Sequence, residues 1–193
     1  EKAILFSDLH IGDGGPADDF APNKTLFLKI KESYKDSGFV FFYLGDTWDR
    51  WQFPNVGPHG TELDQNYFIK GNHDNDLDLP ESILLTGRPE PILLVHGHQG
   101  DWINDTGWKI GRWFTRYPWK ALEYAGFQDN WFSPAKNMRR HDLVRKALIE
   151  WANSRKVTLC HGHIHTQERN EHEWDVGSEI GHNRIEYIEI TDR

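Results

Sequence analysis

Along the chain, short apolar runs are each followed at once by a polar cluster. Residues 3–6 (Ala-Ile-Leu-Phe) run into Ser7-Asp8, residues 39–44 (Phe-Val-Phe-Phe-Tyr-Leu) into Gly45-Asp46, and residues 92–95 (Ile-Leu-Leu-Val) into His96-Gly97-His98. Uninterrupted apolar runs this short predict strands buried on both faces. Residues 67–70 lead into Gly71-Asn72-His73-Asp74, and residues 157–160 lead into His161. Residues 24–35 instead place Leu26, Phe27 and Ile30 at helical spacing, with Ser37-Gly38 as the stop. Residues 172–176 and 184–190 predict two last strands joined through Gly177 and Gly181. Strands interleaved with helical stretches make an α/β fold, in which loops at strand ends converge on one site.

One span departs from this rhythm. Residues 101–155 carry Trp102, Trp108, Trp113, Trp119, Trp131 and Trp151 together with several arginines, and read as helical. We take the span as a cap-like insertion within a single domain, 1–193, and not as a domain of its own. In one reading its aromatics and Arg112, Arg116, Arg139 and Arg140 cover the site and bind a nucleobase, an acyl chain or phosphates. In the other it packs on the body of the fold, with Trp113, Trp119 and Trp131 as core anchors.

Composition narrows the function. The length of 193 residues suits one domain, and 37% hydrophobic with 13% aromatic residues excludes a disordered chain. A formal net charge of −8 argues against a general duplex nucleic-acid binder. The one cysteine, Cys160, excludes an internal disulfide and a Cys-rich zinc framework, and suits a reducing cytoplasm. It reads as a small core residue. No apolar stretch approaches the roughly 18 residues of a membrane span. The opening "AILFSD" reads as a core strand and not as a signal peptide. None of these features encodes the oligomeric state.

The polar clusters together hold Asp8 and His10; Asp46; Asn72, His73 and Asp74; His96 and His98; and His161, His163 and His165. Imidazole, carboxylate and amide oxygen without thiolate suit Mn²⁺ first, then Zn²⁺, Fe or Ni²⁺. On an extended segment, residues two apart point the same way, so Asp8 and His10 can grip one ion. His163 and His165 then face one ion or straddle two. One ion needs only three or four of these groups; the excess suggests two, with a carboxylate, best placed as Asp46, bridging them. Two ions roughly 3.5–4 Å apart are the arrangement that activates water toward a phosphoryl group. His98, His161, His59, His141, His172 and His182 read as packing or surface residues. Asp13, Asp101, Asn104 and Asp105 are loop residues near the blocks.

"SDLH", "LGDTWD", "GNHD", "VHGH" and "HGHIH", in that order, resemble the five signature blocks of the calcineurin-like metallophosphoesterase superfamily. The resemblance runs from residue 7 to residue 165. It implies a four-layer α-β-β-α sandwich with two mixed sheets. It also implies that Asp8, His10, Asp46 and His165 hold one ion, and Asp46, Asn72, His96 and His163 the other. His73 then serves as the catalytic histidine with Asp74 orienting it, and a hydroxide bridging the ions attacks a phosphate ester. "GDTWDRW", the helical insertion and Gly177-Ser178 further resemble the UDP-2,3-diacylglucosamine pyrophosphohydrolases, which implies a nucleotide-sugar pyrophosphate as the alternative substrate. Those hydrolases carry Asn-Arg-Asp where this chain has Asn72-His73-Asp74, and tend toward His-Gly-Asp where it has His96-Gly97-His98. A metal-binding scaffold without catalysis is the reading from a different class. Its mark would be a lost ligand, and every expected ligand position is filled.

Overall fold

The computed structural model describes residues 2–58, 63, 67–99, 109, 112–113, 115–119, 138–165, 167–178 and 184–191. In chain order the elements are β1 (Lys2–Phe6), α1 (Lys24–Tyr34), β2 (Phe39–Leu44), β3 (Tyr67–Ile69), β4 (Ser82–Leu85), β5 (Ile92–Val95), α2 (Met138–Arg155), β6 (Thr158–His161), β7 (Glu168–Arg169), β8 (Glu173–Asp175) and β9 (Ile188–Ile190). A short 3₁₀ turn, Ala21–Asn23, leads into α1, and a π-turn spans Thr115–Trp119. The strands form two mixed sheets, of order β3-β2-β1-β9 and β4-β5-β6-β8-β7.

Both faces of the first sheet are buried, which is why β1 and β2 are apolar at nearly every position. Ala3, Leu5, Phe42 and Leu44 face Ile92, Leu94, Cys160 and Trp174 of the second sheet. The alternate residues Ile4, Phe6 and Tyr43 face α1, where Phe27 lies with its ring 5.2 Å from that of Phe6. Period-two alternation of side chains makes these two cores out of one continuous run. On the far side, α2 lies against β6. The layers are therefore helix, sheet, sheet, helix, as the sequence led us to expect.

Cys160 is buried in the core between the sheets, and burial pushes its thiol well above the ordinary value. Between α2 and the outer face of the second sheet runs a cleft of about 630 Å³, lined by Leu93, Val95, Leu148, Trp151 and Leu159 among others.

Three expectations change. The two last strands are shorter than predicted and part company: β8 joins the second sheet and β9 the first. β4 and β7, at the two edges of the second sheet, were not expected: β4 is a four-residue run, Ser-Ile-Leu-Leu, with no Asp- or His-bearing block behind it, and β7 is two residues, Glu-Arg. Trp113 is 59% exposed and is no core anchor. Trp102, Trp108, Trp131, Asp101, Asn104, Asp105, His59 and His182 lie outside the described residues, as do the side chains of Trp119, Arg139, Arg140 and His141. Among the described residues, no helix is long and apolar enough to cross a membrane.

Candidate metal centre

The polar blocks sit at the ends of β1, β2, β3, β5 and β6, and they are sewn together there. The parallel pairing of β1 with β2 continues beyond the strands, through hydrogen bonds from the amides of His10 and Ile11 to the carbonyls of Asp46 and Thr47, both at 2.9 Å. Within the second sheet the Gly162 amide donates to the His96 carbonyl at 3.0 Å, and that sheet is tied to the first by the His163 amide donating to the Asp8 carboxylate at 2.9 Å. Gly162 and Gly71 are required by space. A Cβ on Gly162 would overlap Ser7 Oγ and the Asp8 carboxylate, and one on Gly71 would overlap Asp46.

Among the described residues, six besides glycine have positive φ, and five of them are expected ligands: Asp8 (54°), His10 (50°), Asp46 (49°), His163 (65°) and His165 (60°). Each such conformation costs about 1–3 kcal/mol and persists where the surroundings impose it, typically at functional sites. This also corrects one expectation. Asp8-Leu9-His10 is not an extended segment whose alternate side chains face one way. Its outer residues are left-handed and frame a buried Leu9, and Ile164 sits in the same way between His163 and His165.

The ligand atoms gather in overlapping groups. Asp8, His10 and His165 form one, Asp46, His96 and His163 another, and His10, Asp46 and His73 a third that joins them. His163 and His165 thus straddle the centre. His165 Nε2 is 3.1 Å from Asp8 Oδ1, and His10 Nε2 is 3.9 Å from Asp8 Oδ1 and 3.7 Å from Asp46 Oδ2. His96 Nε2 is 3.4 Å from Asp46 Oδ2 and 3.2 Å from Asn72 Oδ1. Metal bonds of about 2.0–2.2 Å at tetrahedral angles place donor atoms roughly 3.3–3.6 Å apart, so these are the separations of atoms that can share an ion. His10 Nε2 is buried without a hydrogen-bond partner, an arrangement that a cation would complete. His96 donates from Nδ1 to the Leu44 carbonyl at 2.8 Å, which leaves Nε2 free to face the centre.

Electrostatics point the same way. Burial opposes the charge on Asp8 and Asp46, yet His96 above all holds both carboxyls below the usual range. Burial likewise opposes charge on His10 and His96, but Asp8 and Asp46 raise them to about 9 and about 10. The two imidazoles thus favour the protonated form that balances the buried carboxylates. His163, pushed down to about 3 by burial and by His96, is neutral, the form that binds a metal.

His73 lies at the rim, with its ring 4.5 Å from that of His10. Its Nδ1 is 2.8 Å from Asp49 Oδ1, and its ring stacks on Trp51 at 4.2 Å and 12°. Asp74, expected to orient His73, does not reach it. Following His73 in a tight turn, its buried carboxylate points back to accept the amides of Gly71 at 2.6 Å and Thr47 at 2.9 Å. Burial, then the charge of Asp46, pushes Asp74 up to about 6. The orienting group is Asp49, unassigned from sequence although it stands in "LGDTWD". Its signal is its spacing, three residues after Asp46, which returns a turn's side chain to the same side.

The expected substrate arginines part in two ways. Arg116 donates from Nε to the Trp51 carbonyl at 3.0 Å and from Nη2 to the Arg50 carbonyl at 2.7 Å. Arg112 stands 3.9 Å from Asp76. Neither group is shown at the metal centre. His161 belongs to none of the ligand groups. His98 is buried behind His96 and His163, and pushed down to about 3 by burial and by the charge of His96.

No protein-family model matches the sequence, and neither does any curated protein. Solved structures do match. A conserved uncharacterised protein of Streptococcus pneumoniae, described as a predicted phosphoesterase, aligns over 100% of this chain and 84% of its own, with 17% identity and a TM-score of 0.51. Vps29 of Entamoeba histolytica, in complex with Zn²⁺, aligns over 94% of this chain and 76% of its own, with 18% identity and a TM-score of 0.50. At such identities the likeness is one of fold alone, and the fold this chain shares with them is the α/β sandwich of two mixed sheets.

Proposed function

We propose that the chain is a phosphoesterase that uses two divalent metal ions to hydrolyse a phosphate ester of a small molecule. One observation carries this reading: the buried Asp46 belongs at once to the group with His96 and His163 and to the group with His10 and His73, and His10 in turn belongs to the group with Asp8 and His165. Asp8, His10, Asp46 and His165 would hold one ion, and Asp46, Asn72, His96 and His163 the other. Ions bound there would supply Lewis-acid polarisation of the phosphoryl group and neutralise its charge. The donor set suits Mn²⁺ and also Zn²⁺, the ion bound to the Entamoeba Vps29.

The chain's own part is proton management. With Nδ1–H donating to Asp49, His73 presents Nε2 at the rim, and Trp51 fixes the plane of the ring. Protonated at Nε2, it can give that proton to the leaving oxygen, and the buried Asp49 stabilises the imidazolium. Asp74 clamps the Gly71 and Thr47 amides, and so keeps Asp46 and His73 in register. Arg116, within the span 101–155, holds the carbonyls of Arg50 and Trp51 and would steady this rim.

The test is a metal-by-substrate screen. The chelator-stripped chain, reloaded with Mn²⁺, Zn²⁺, Fe²⁺ or Ni²⁺, is assayed on phosphomonoesters, diesters, cyclic nucleotides and UDP-sugars. We expect metal-dependent ester hydrolysis that vanishes in Asp46→Ala and His163→Ala, with both variants folded by circular dichroism. Unchanged activity in either variant would overturn the proposal. Preference for the UDP-sugars would move the substrate to a P–O–P bond. Metal binding without turnover of any substrate would make the chain a scaffold.

A further inference from the structure

Behind the metal centre lies a second buried cluster that the proposed chemistry leaves unused. β6 and β8 pair with Leu159 beside Glu173 and His161 beside Asp175, so these four side chains share the face of the sheet that α2 covers. His161, with no exposed surface, sits between two acceptors: Nδ1 is 2.9 Å from the Gly162 carbonyl and Nε2 is 2.9 Å from Glu173 Oε1. Glu173 accepts three further hydrogen bonds, from Arg145 Nε and Nη2, each at 3.1 Å, and from Asn170 Nδ2 at 2.9 Å. The remaining Arg145 nitrogen, Nη1, meets Glu168. Every donor and acceptor in the chain Arg145–Glu173–His161–Gly162 is matched, as a buried ionic network must be.

The last link matters because of where Gly162 stands. It directly precedes His163 and lies three residues before His165, both held in left-handed conformations, and it packs so closely on Ser7 and Asp8 that a Cβ would overlap them. A loop bent in this way keeps its shape only if its ends are fixed. One end is fixed by the His161 ring on the Gly162 carbonyl, and through Glu173 that ring is fixed to α2. Apolar packing does not do this alone, since a cleft of about 630 Å³ separates much of α2 from the sheet. Although burial works against the carboxylate charge, the hydrogen bonds from His161 and Arg145 hold Glu173 down at about 2, so the network stays ionic throughout the neutral range.

We propose that Arg145 and Glu173 are positioning residues for the metal centre: through His161 they hold the 162–165 loop, so that the docking of α2 sets how tightly the chain binds its ions. This inference rests on the two-ion reading above. It adds to that reading a route by which α2 governs a site that, among the described residues, its own side chains do not ligate. Groups that orient metal ligands from behind typically contribute 10- to 100-fold in affinity.

The experiment titrates Mn²⁺ into the chelator-stripped full chain by calorimetry, for the wild type, Glu173→Gln and Arg145→Met. Lys146→Met, exposed on the same helix, is the control. We expect Mn²⁺ affinity to fall about 10- to 100-fold in both test variants and to stay within about twofold in Lys146→Met. At saturating Mn²⁺, kcat should stay within about threefold of wild type, because the network holds the ligands and not the substrate. If Glu173→Gln does not fold, Arg145→Met, at the half-exposed end of the network, decides the matter. A role confined to stability would lower the unfolding midpoint of the metal-free chain and leave Mn²⁺ affinity unchanged, which would overturn this inference alone. A wild-type chain that binds no ion would overturn it together with the two-ion reading.

Discussion

The strand-end centre and the insertion are both rich in charged and aromatic residues, but the ligand groups of the one and the described arginines Arg116 and Arg145 of the other are in opposite states. At the centre, ligand atoms stand 3.1–3.9 Å apart on left-handed backbone, and His10 Nε2 has no hydrogen-bond partner at all. In the insertion, Arg116 gives its donors to two backbone carbonyls and Arg145 to two carboxylates. Held-together but unsatisfied groups are poised for a ligand; groups whose hydrogen bonds are already made hold the structure. Residue type alone does not separate the two, since arginines beside a phosphate-handling site suggest substrate contacts just as histidines suggest metal.

The sharpest way to break the comparison is at Asp46. Asp46→Asn keeps the shape but removes the charge that links His96 and His163 to His10, and we expect hydrolysis to fall to background and the Mn²⁺ stoichiometry seen by calorimetry to drop below two. Two ions still bound, with activity retained, would deny the centre its bridging carboxylate. Next in size is the rim pair. His73→Asn should slow turnover by about 10²- to 10⁴-fold, the usual range for a lost general acid, with Mn²⁺ affinity nearly unchanged. Asp49→Asn should show a smaller loss of the same kind, whereas Asp74→Asn should act mainly on stability. The split is read by comparing esters with good and poor leaving groups: loss of an acid slows the poor ones most.

A pH series probes the charges the centre holds without metal. His10 and His96 sit at about 9 and about 10 because the attraction of Asp8 and Asp46 exceeds the penalty of burial. Raised above the ordinary value of 6.5, they stabilise the folded chain in full below that pH, and the contribution is lost as pH rises through about 9 and 10. Ions must displace those protons, so affinity runs the other way. We expect the unfolding midpoint of the metal-free chain to fall between pH 7 and 10. Over pH 7 to 9, Mn²⁺ affinity should climb by up to about tenfold per unit for each proton displaced. A metal-free midpoint that stays flat across this range would contradict the assignment.

How much of this was legible beforehand follows from the same contrast. Strands β1, β2 and β5 were readable because sheets buried on both faces leave unbroken apolar runs, and the ligand blocks because each follows such a run. β4 and β7 were not, since the Ser-Ile-Leu-Leu run of β4 is short and leads into no ligand block, and β7 is only Glu-Arg. Nor was the left-handed backbone, because Asp and His do not announce positive φ as glycine does. Asp49 and Asp74 both looked able to serve His73. Their roles were decided by the turn at Asn72–Asp74, which sends the nearer carboxylate away from the ring and toward backbone amides. The pairing of Arg145 with Glu173 spans 28 residues and depends on α2 lying over β8, a tertiary fact with no local signal.

The smallest expected effects concern the insertion's reach to the rim. Arg116 holds the carbonyls of Arg50 and Trp51, and Trp51 in turn stacks on His73 and donates from Nε1 to the Asn72 carbonyl at 2.6 Å. If Arg116 contacted substrate, Arg116→Met would raise KM. If it steadies the loop, as these hydrogen bonds indicate, KM stays nearly constant and kcat falls by about tenfold, the lower end of what a misplaced acid loses. The fall should be larger for esters with poor leaving groups, following His73→Asn in pattern but not in size. Trp113→Ala calibrates the insertion itself. With its ring 59% exposed, the loss should change stability by less than about 0.5 kcal/mol and leave kcat and KM as they were. A raised KM in Trp113→Ala would instead make that face of the insertion part of the substrate's path, and the division between a reactive centre and a supporting insertion would have to be redrawn there.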